Sequence, residues 1–402
     1  MKQNDIICLA FPAWEGNYLK STVQLMKELA KNNRVVYVDY AYTWKDFFNS
    51  LRGKGSASWQ RMLGLKPRLR KEKLENGADI YILTLPPVIP TNFIKNSTIF
   101  DKINAFNAYF IEKTIKNTQQ ALGMYTSPLT LSSSSRSGVT VINAFNPIFG
   151  VHLGGKLGEK QLIYYCYDEI NAATWAKQHG ARLENRFIKM VDMVVVTSQG
   201  LFDKKSKRHD NCHLVKNGVD FDLFASENTQ PPAYPIMGPP QYEKVIGYLG
   251  SVDERLDYDL IETTINTTPH YQYLFVGRVT TTAYENRLKQ YANVVLVGPQ
   301  PPAVLPTWVQ KFDVCWIPFI KNELTAGIYP LKINEYLAAG KPVVSTQFSD
   351  LSDFNNIISI ANTAKEMCQC FNITHQNATI RKDFAMQNTW GARAETLLEL
   401  IK

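Results

Sequence analysis

The chain alternates short, continuously apolar runs with stretches of helical spacing. In its first half the runs are DIICLAF (5–11), RVVYVD (34–39), DIYILTL (79–85), VTVINAF (139–145), LIYYCYD (162–168), MVVVTS (193–198) and HLVKNG (213–218). Between most of them lie patterns such as STVQLMKELAKN, whose apolar positions recur every three or four residues. Strands apolar on both faces, alternating with helices, predict a parallel sheet covered on both sides. Residues 225–243 then break the pattern with five prolines and no periodicity, as a linker does. Beyond them the alternation restarts with VIGYLGS (245–251), YQYLFVG (271–277), VVLVG (294–298), VCWIPF (314–319), PVVST (342–346) and IISIA (357–361). The expected fold is α/β, with two doubly wound Rossmann-like domains. They are expected over 1–224 and 244–385, joined by the linker 225–243 and followed by an amphipathic helix over 386–402. Ligands of such sheets bind beyond the carboxyl ends of the strands, and two facing domains would place a cleft there.

One stretch of the second half raises a chemical question. GIYPLKINEYLAAGKPVV (327–344) predicts a short helix that opens at Pro330 and stops at Gly340 and Pro342. Ile333, Tyr336, Leu337 and Ala338 give it an apolar stripe, whereas Lys332 and Glu335 stand near its amino end. The helix dipole disfavours a lysine there, so the pattern reads either as a capped helix with two solvated charges or as a phosphate seat. In the second reading Lys332 faces the anion and Glu335 takes sugar hydroxyls. The first strand of this half ends as GYLGSVDERLDYDLI, where a turn at Gly250 and Ser251 lets backbone approach a ligand and Arg255 offers a phosphate fork. Arg255 could instead pair with Asp253 or Asp259. The DxD pairs Asp220/Asp222 and Asp257/Asp259 suit turn and helix-cap positions better than metal ligation, so no metal is expected.

Composition is that of a globular protein, with 402 residues, 45% hydrophobic and 20% charged. The six cysteines form no zinc or redox spacing and are expected as free thiols, mostly in buried strands. No apolar run is long enough for a membrane span, and the amino terminus enters a strand pattern without a cleavage signature. The expected location is therefore cytoplasmic. The net charge of +8 divides unevenly: residues 1–220 hold 30 Lys and Arg against 18 Asp and Glu, and residues 221–402 hold 14 against 18. Cations from Arg52 to Lys73 interleave with Trp44, Phe47, Phe48, Trp59, Met62 and Leu63. That composition suits an anionic bilayer surface, where each cation adds about 1 kcal/mol. It would also suit nucleic acid or a plain solvated face.

In the first half, Trp14, Glu15 and Gly16 fall at the end of the first strand, and Asp168 and Glu169 end the fifth. The two carboxylates are candidates to hold an acceptor hydroxyl, with acidic helix caps as the alternative. No GxSxG elbow, activated cysteine pattern, Walker loop or GxGxxG occurs. These absences argue against hydrolase, P-loop and dinucleotide-binding chemistry.

NGVDFDLF (217–224), GYLGSVDERLD (247–257), PLKINEYLAAGKPVVST (330–346) and TWGARAETLLELI (389–401) together resemble the retaining glycosyltransferases of family 4, of GT-B fold. FPAWEG, YYCYDE and DERLD look most like the bacterial surface-polysaccharide branch that includes teichuronic acid transferases. The resemblance implies a nucleotide-diphosphate sugar as co-substrate, UDP- or GDP-linked, with no further cofactor and no metal. It implies that Arg255 and Lys332 neutralise the diphosphate, that backbone at Pro330 and Leu331 touches phosphate, and that Glu335 binds the donor ribose. Gly16, Gly250, Ser251, Gly277, Arg278, Gly327, Ile328 and Tyr329 complete the expected donor set. Trp14, Glu15, Asp168 and Glu169 form the expected acceptor set, and the last helix would cross back to the first domain. The chain departs from the family at Gly327, where an acid is usual eight residues before Glu335, and at Leu260, where a lysine is usual. The expected partners are the nucleotide sugar, a lipid-linked saccharide acceptor and the anionic inner face of the cell membrane, without nucleic acid. Alternatives on the same residues are an epimerase or phosphorylase, or a noncatalytic binding protein.

Overall fold

The computed structural model describes residues 4–16, 19–55, 57–124, 138–170, 176–226, 242–372 and 378–401. Residues 227–241 of the expected linker and the patch Ser132 to Ser135 lie outside the described residues. The chain divides into two compact units, Met1–Lys216 with Arg393–Lys402, and Asn217–Ala392.

The first unit contains β1 (Asp5–Ala10), β2 (Arg34–Val38), β3 (Leu69–Lys73), β4 (Asp79–Leu83), β5 (Val139–Ala144), β6 (Glu159–Cys166), β7 (Met193–Val196) and β8 (Cys212–Leu214). They form one sheet in the order β3-β4-β2-β1-β5-β6-β7-β8. Strands β5 and β7 are buried at every position, as a sheet covered on both faces requires. Every pairing is parallel except that of β3 with β4. Strand β3 was not expected. Its sequence, LRKEK, has no apolar run, because an edge strand pairs on one side only and here carries charge on both faces.

The second unit contains β9 (Lys244–Leu249), β10 (Tyr271–Val276), β11 (Val294–Gly298), β12 (Val314–Ile317), β13 (Val343–Ser345) and β14 (Ser359–Ile360). The order is β11-β10-β9-β12-β13-β14, parallel throughout. The chain runs outward from β9 through β10 and β11, then returns to the other side of β9 with β12. Strand order thus reverses between β9 and β12, the place at which doubly wound sheets bind ligands.

The expected boundary at residue 224 falls earlier in this division. Helix Phe221–Ala225 packs on helices Leu305–Gln310 and Leu331–Ala338 of the second unit, with Phe224 fully buried. At the other end, helix Trp390–Leu400 supplies buried Ala394 and Leu397 from the part assigned to the first unit. All six cysteines are free, and Cys8, Cys166, Cys212 and Cys315 are buried. Among the described residues no helix is long and apolar enough to cross a membrane.

Candidate active site

Strand β9 runs directly into the turn at Gly250, whose φ of 146° belongs to glycine. A Cβ on Gly250 would lie 2.2 Å from Lys332 Cε, so the lysine stem rests on the bare backbone of this turn. A Cβ on Gly277, after β10 and with φ 150°, would lie 2.0 Å from the Gly250 carbonyl oxygen. The two glycines let adjacent strand ends close up beneath one lysine. The Gly250 N–H donates to the Val276 carbonyl at 2.8 Å, and the Val252 N–H to the Arg278 carbonyl at 2.9 Å, which fixes the turn. The Arg278 side chain is exposed beside it, and Ser251 contributes its carbonyl to the Tyr248 hydroxyl at 3.0 Å.

Arg255 follows on a loop tied to the end of β12: the Ile320 N–H donates to the Arg255 carbonyl at 2.8 Å and the Asp257 N–H to the Pro318 carbonyl at 2.8 Å. Its guanidinium forks onto Asp253, with Nε to Oδ1 at 2.8 Å and Nη2 to Oδ2 at 2.6 Å. Burial works against the guanidinium charge, but the Asp253 bonds prevail and hold Arg255 above its ordinary range. Of the two pairings open in the sequence, Asp253 is the one formed. Asp259 pairs with Arg287 at 2.7 Å, while Asp257 and Asp220 cap their helices. The Arg255 guanidinium carbon lies 5.5 Å from the Phe319 ring centre, and Lys332 Nζ lies 5.9 Å from the same ring and 6.0 Å from that of Tyr248. Two cations therefore converge on one aromatic platform, at the switch point of the sheet.

The helix that carries Lys332 spans Leu331–Ala338, with Pro330 as its N-cap rather than its first residue. No side chain caps it. The Ile333 N–H turns back to the Pro330 carbonyl at 3.1 Å, so the start that lacks a side-chain cap, as an anion seat does, is that of Leu331 and Lys332. The Tyr336 hydroxyl accepts the Leu249 N–H at 2.7 Å and pins the helix to the end of β9. Burial, with Arg255 adding to it, brings the Lys332 ammonium down to about 8 against the pull of Glu335 and Asp253. Burial pushes the Glu335 carboxyl up to about 7, with Lys332 opposing and Asp220 adding to the rise. Both side chains keep partial solvent contact.

The approach to this helix is held from within. Asn322 caps helix Glu323–Ala326, Gly327 ends it at φ −84°, and the Ile328 N–H donates to the Thr325 carbonyl at 3.0 Å. The Tyr329 side chain is turned inward, 6% exposed, with its hydroxyl accepting from Asn334 Nδ2 at 3.2 Å. Leu260 is buried at 9% exposure and brings no cation to the site.

The expected donor residue Gly16 lies in the first unit, exposed, with φ 154°. Beside it Trp14 is 7% exposed, its N–H on Asp39 Oδ1 at 2.7 Å and its indole Nε1 on Glu72 Oε2 at 3.1 Å. Glu15 pairs with Arg70 at 2.5 Å, and the buried Lys20 ammonium donates to the carbonyls of Ala13 and Glu15. Trp14 therefore anchors this loop rather than offering its face. Asp168 is exposed at the end of β6, but Glu169 is not a free carboxylate as expected. At 3% exposure it takes Lys204 at 3.0 Å and lies 3.9 Å from the buried Lys205, which also pairs with buried Glu184. That network holds the end of β6 in place. The sequence reading missed Tyr248, Phe319, Asp220 and Lys20 as parts of these sites; aromatic residues at strand ends were the available signal for the first two.

Comparison with known proteins places the second unit chemically. Residues 243–370 match the family model described as Glycosyl transferases group 1. The chain is 29% identical over 175 residues to TuaH of Bacillus subtilis, a protein assigned by name to teichuronic acid biosynthesis as a glycosyltransferase. That match covers 42% of this chain and 44% of TuaH, less than half of either. Among solved structures, the sucrose-phosphate synthase of Thermosynechococcus elongatus superposes with a TM-score of 0.65 at 14% identity, over 99% of this chain and 98% of that one. HepE of Anabaena, solved in complex with UDP and glucose, does so with a TM-score of 0.60 at 13% identity, over 99% of each chain. The fold is GT-B, built of two parallel-sheet α/β domains.

Proposed function

We propose that the chain is a retaining, metal-independent glycosyltransferase that moves a sugar from a nucleotide diphosphate to a lipid-linked saccharide acceptor in cell-surface polysaccharide assembly, at the inner face of the membrane. The observation that carries this reading is the convergence of Lys332 and Arg255 on Phe319, beneath an uncapped helix start and over the bare turn at Gly250. The group 1 match over the same unit, the assignment of TuaH and the UDP and glucose bound by HepE support it.

In this mechanism the diphosphate lies against Lys332, Arg255 and the first N–H groups of helix Leu331–Ala338, and Glu335 accepts from the ribose hydroxyls. The bond from the sugar carbon to the diphosphate breaks on the face at which the acceptor oxygen attacks, and the acceptor proton passes to the departing phosphate oxygen. Charge builds on that oxygen in the transition state. Fixed cations and N–H groups stabilise it without reorganising, so a metal is not needed. Asp253 orients the Arg255 fork rather than competing for it, because it uses Nε and Nη2 and leaves Nη1 available. With Gly327 in place of an acid, sugar hydroxyls are met by backbone between Ala326 and Ile328. Exposed Asp168 serves the acceptor, with Glu169 holding its strand end.

Thermal melting with UDP, GDP, ADP and CMP, without metal, tests the donor site. A nucleotide at 100 times its dissociation constant stabilises by about 2.7 kcal/mol. One nucleotide class is expected to raise the melting temperature, with the rise lost in Glu335→Ala. Indifference to all four overturns the donor assignment.

A further inference from the structure

Sixteen large apolar side chains are exposed among the described residues, and eleven of them fall between Trp44 and Phe110. They gather on two helices of the first unit. On Ser97–Ala121, Ile99, Phe106, Tyr109 and Phe110 are 52%, 54%, 60% and 43% exposed, and Phe93 just before it is 73% exposed. On Trp44–Leu51, Trp44, Phe48 and Leu51 are 41%, 51% and 52% exposed.

The segment between the helices joins the two groups. The Trp44 N–H donates to the Val88 carbonyl at 3.1 Å, and Asn107 holds both the N–H and the carbonyl of Ile89 at 2.9 Å. Ile89, itself 37% exposed, thus bridges one helix to the middle of the other.

Charge decides what this face meets. Lys45, Arg52, Lys54, Lys95, Lys102 and Lys113 on and around the two helices are all exposed. The acids are not: Asp46 completes a capping box with Thr43, Asp101 takes the Arg182 fork at 2.7 and 2.8 Å, and Glu112 takes Lys116 at 2.6 Å. Each of the three is partly buried. The exposed charges of the face are therefore positive, beside its apolar side chains.

We infer that the surface formed by helices Trp44–Leu51 and Ser97–Ala121 docks on a bilayer of anionic phospholipid, inserting Phe106, Phe110 and Trp44 among the acyl chains while the lysines meet headgroups. This deepens the membrane attachment in the proposed function and rests on it only for its purpose. It keeps Trp44, Phe48, Arg52 and Lys54 of the segment read in the sequence and extends the contact to helix Ser97–Ala121, in place of the rest of that segment. Several cations of 52–73 are engaged within the protein: Arg61 on the Pro67 carbonyl, Arg68 on that of Met62, Arg70 on Glu15 and Lys71 on Asp79.

Flotation of the full chain with vesicles of phosphatidylcholine alone, or with 30% phosphatidylglycerol, tests the inference. Binding is expected only with phosphatidylglycerol, falling at least tenfold in Phe106→Ser/Phe110→Ser and unchanged in Lys71→Ala. Quenching by bromolipid is expected to drop in Trp44→Phe. No binding by the unaltered chain, full binding by the double variant, or release by oligothymidylate at stoichiometric amounts would overturn it. The double variant is expected to keep its nucleotide-dependent melting shift. Failure of that shift in the unaltered chain would remove the donor reading and leave the vesicle result standing.

Discussion

Lys332 and Glu335 sit one helical turn apart with opposite titration shifts, and the signs set a pH window for ligand binding. An anion beside Lys332 favours its charged form, so binding takes up a proton above about pH 8 and weakens as pH rises through that value. A diol donating to Glu335 favours the carboxylate, so binding releases a proton below about pH 7 and weakens as pH falls. Nucleotide affinity is therefore expected to peak between about pH 7 and 8. Titration calorimetry across pH 5.5 to 9.5 checks this, and Glu335→Gln is expected to flatten the acid limb only. A peak far outside the window would show that these two groups do not meet the ligand. Lys332, Glu335, Arg255 and Gly250 were legible in the sequence because their residue types are odd for their local positions. Tyr248, Phe319 and Asp220 were not, since an aromatic at a strand end and an aspartate at a helix cap each have an ordinary explanation. Glu169 misled for the converse reason. A carboxylate at a rim looks available until the lysines that enclose it, thirty-five and thirty-six positions away, are placed.

At the scale of elements, the apolar runs located every parallel strand among the described residues; in β5, β7, β10 and β12 burial on both faces leaves a signature that needs no partner to be known. Strand β3 escaped for lack of it. Its alternation of Arg70, Lys71, Glu72 and Lys73 makes sense only beside β4, Glu15 and Trp14, which are distant in sequence. Helix Leu331–Ala338 was predicted to within a residue, but its attachment was not. Part of that attachment is the bond from the Leu249 N–H to the Tyr336 hydroxyl, between two buried residues. Tyr336→Phe leaves that N–H unsatisfied and is expected to cost about 1–3 kcal/mol in urea unfolding. Nucleotide affinity should fall with it, as Lys332 loses its fixed place over Gly250. An unchanged affinity would mean that packing alone sets the helix.

For the whole molecule, the two compact units each have their own core, and the cluster of Gly250, Arg255 and Lys332 belongs wholly to the second. Scanning calorimetry is expected to resolve two transitions, of which saturating nucleotide raises one. A single transition that moves as a body would show that the units unfold together. The same division explains the charge asymmetry of the sequence. The excess of positive charge sits in the half that carries the exposed apolar helices, while the half with net negative charge brings two of its 14 Lys and Arg, Arg255 and Lys332, together over Phe319.

The first unit takes its final piece from the far end of the chain, where Ala394, Leu397 and Ile401 are buried. On a translating ribosome this imposes a timetable. Residues 217–392 must be made before that piece exists, which takes roughly 9–35 seconds at elongation rates of about 5–20 residues per second. During that interval the nascent first unit waits unfinished while the second, contiguous in sequence, can reach its final form. Of the two units, the one that starts earlier in the chain is thus the one completed later.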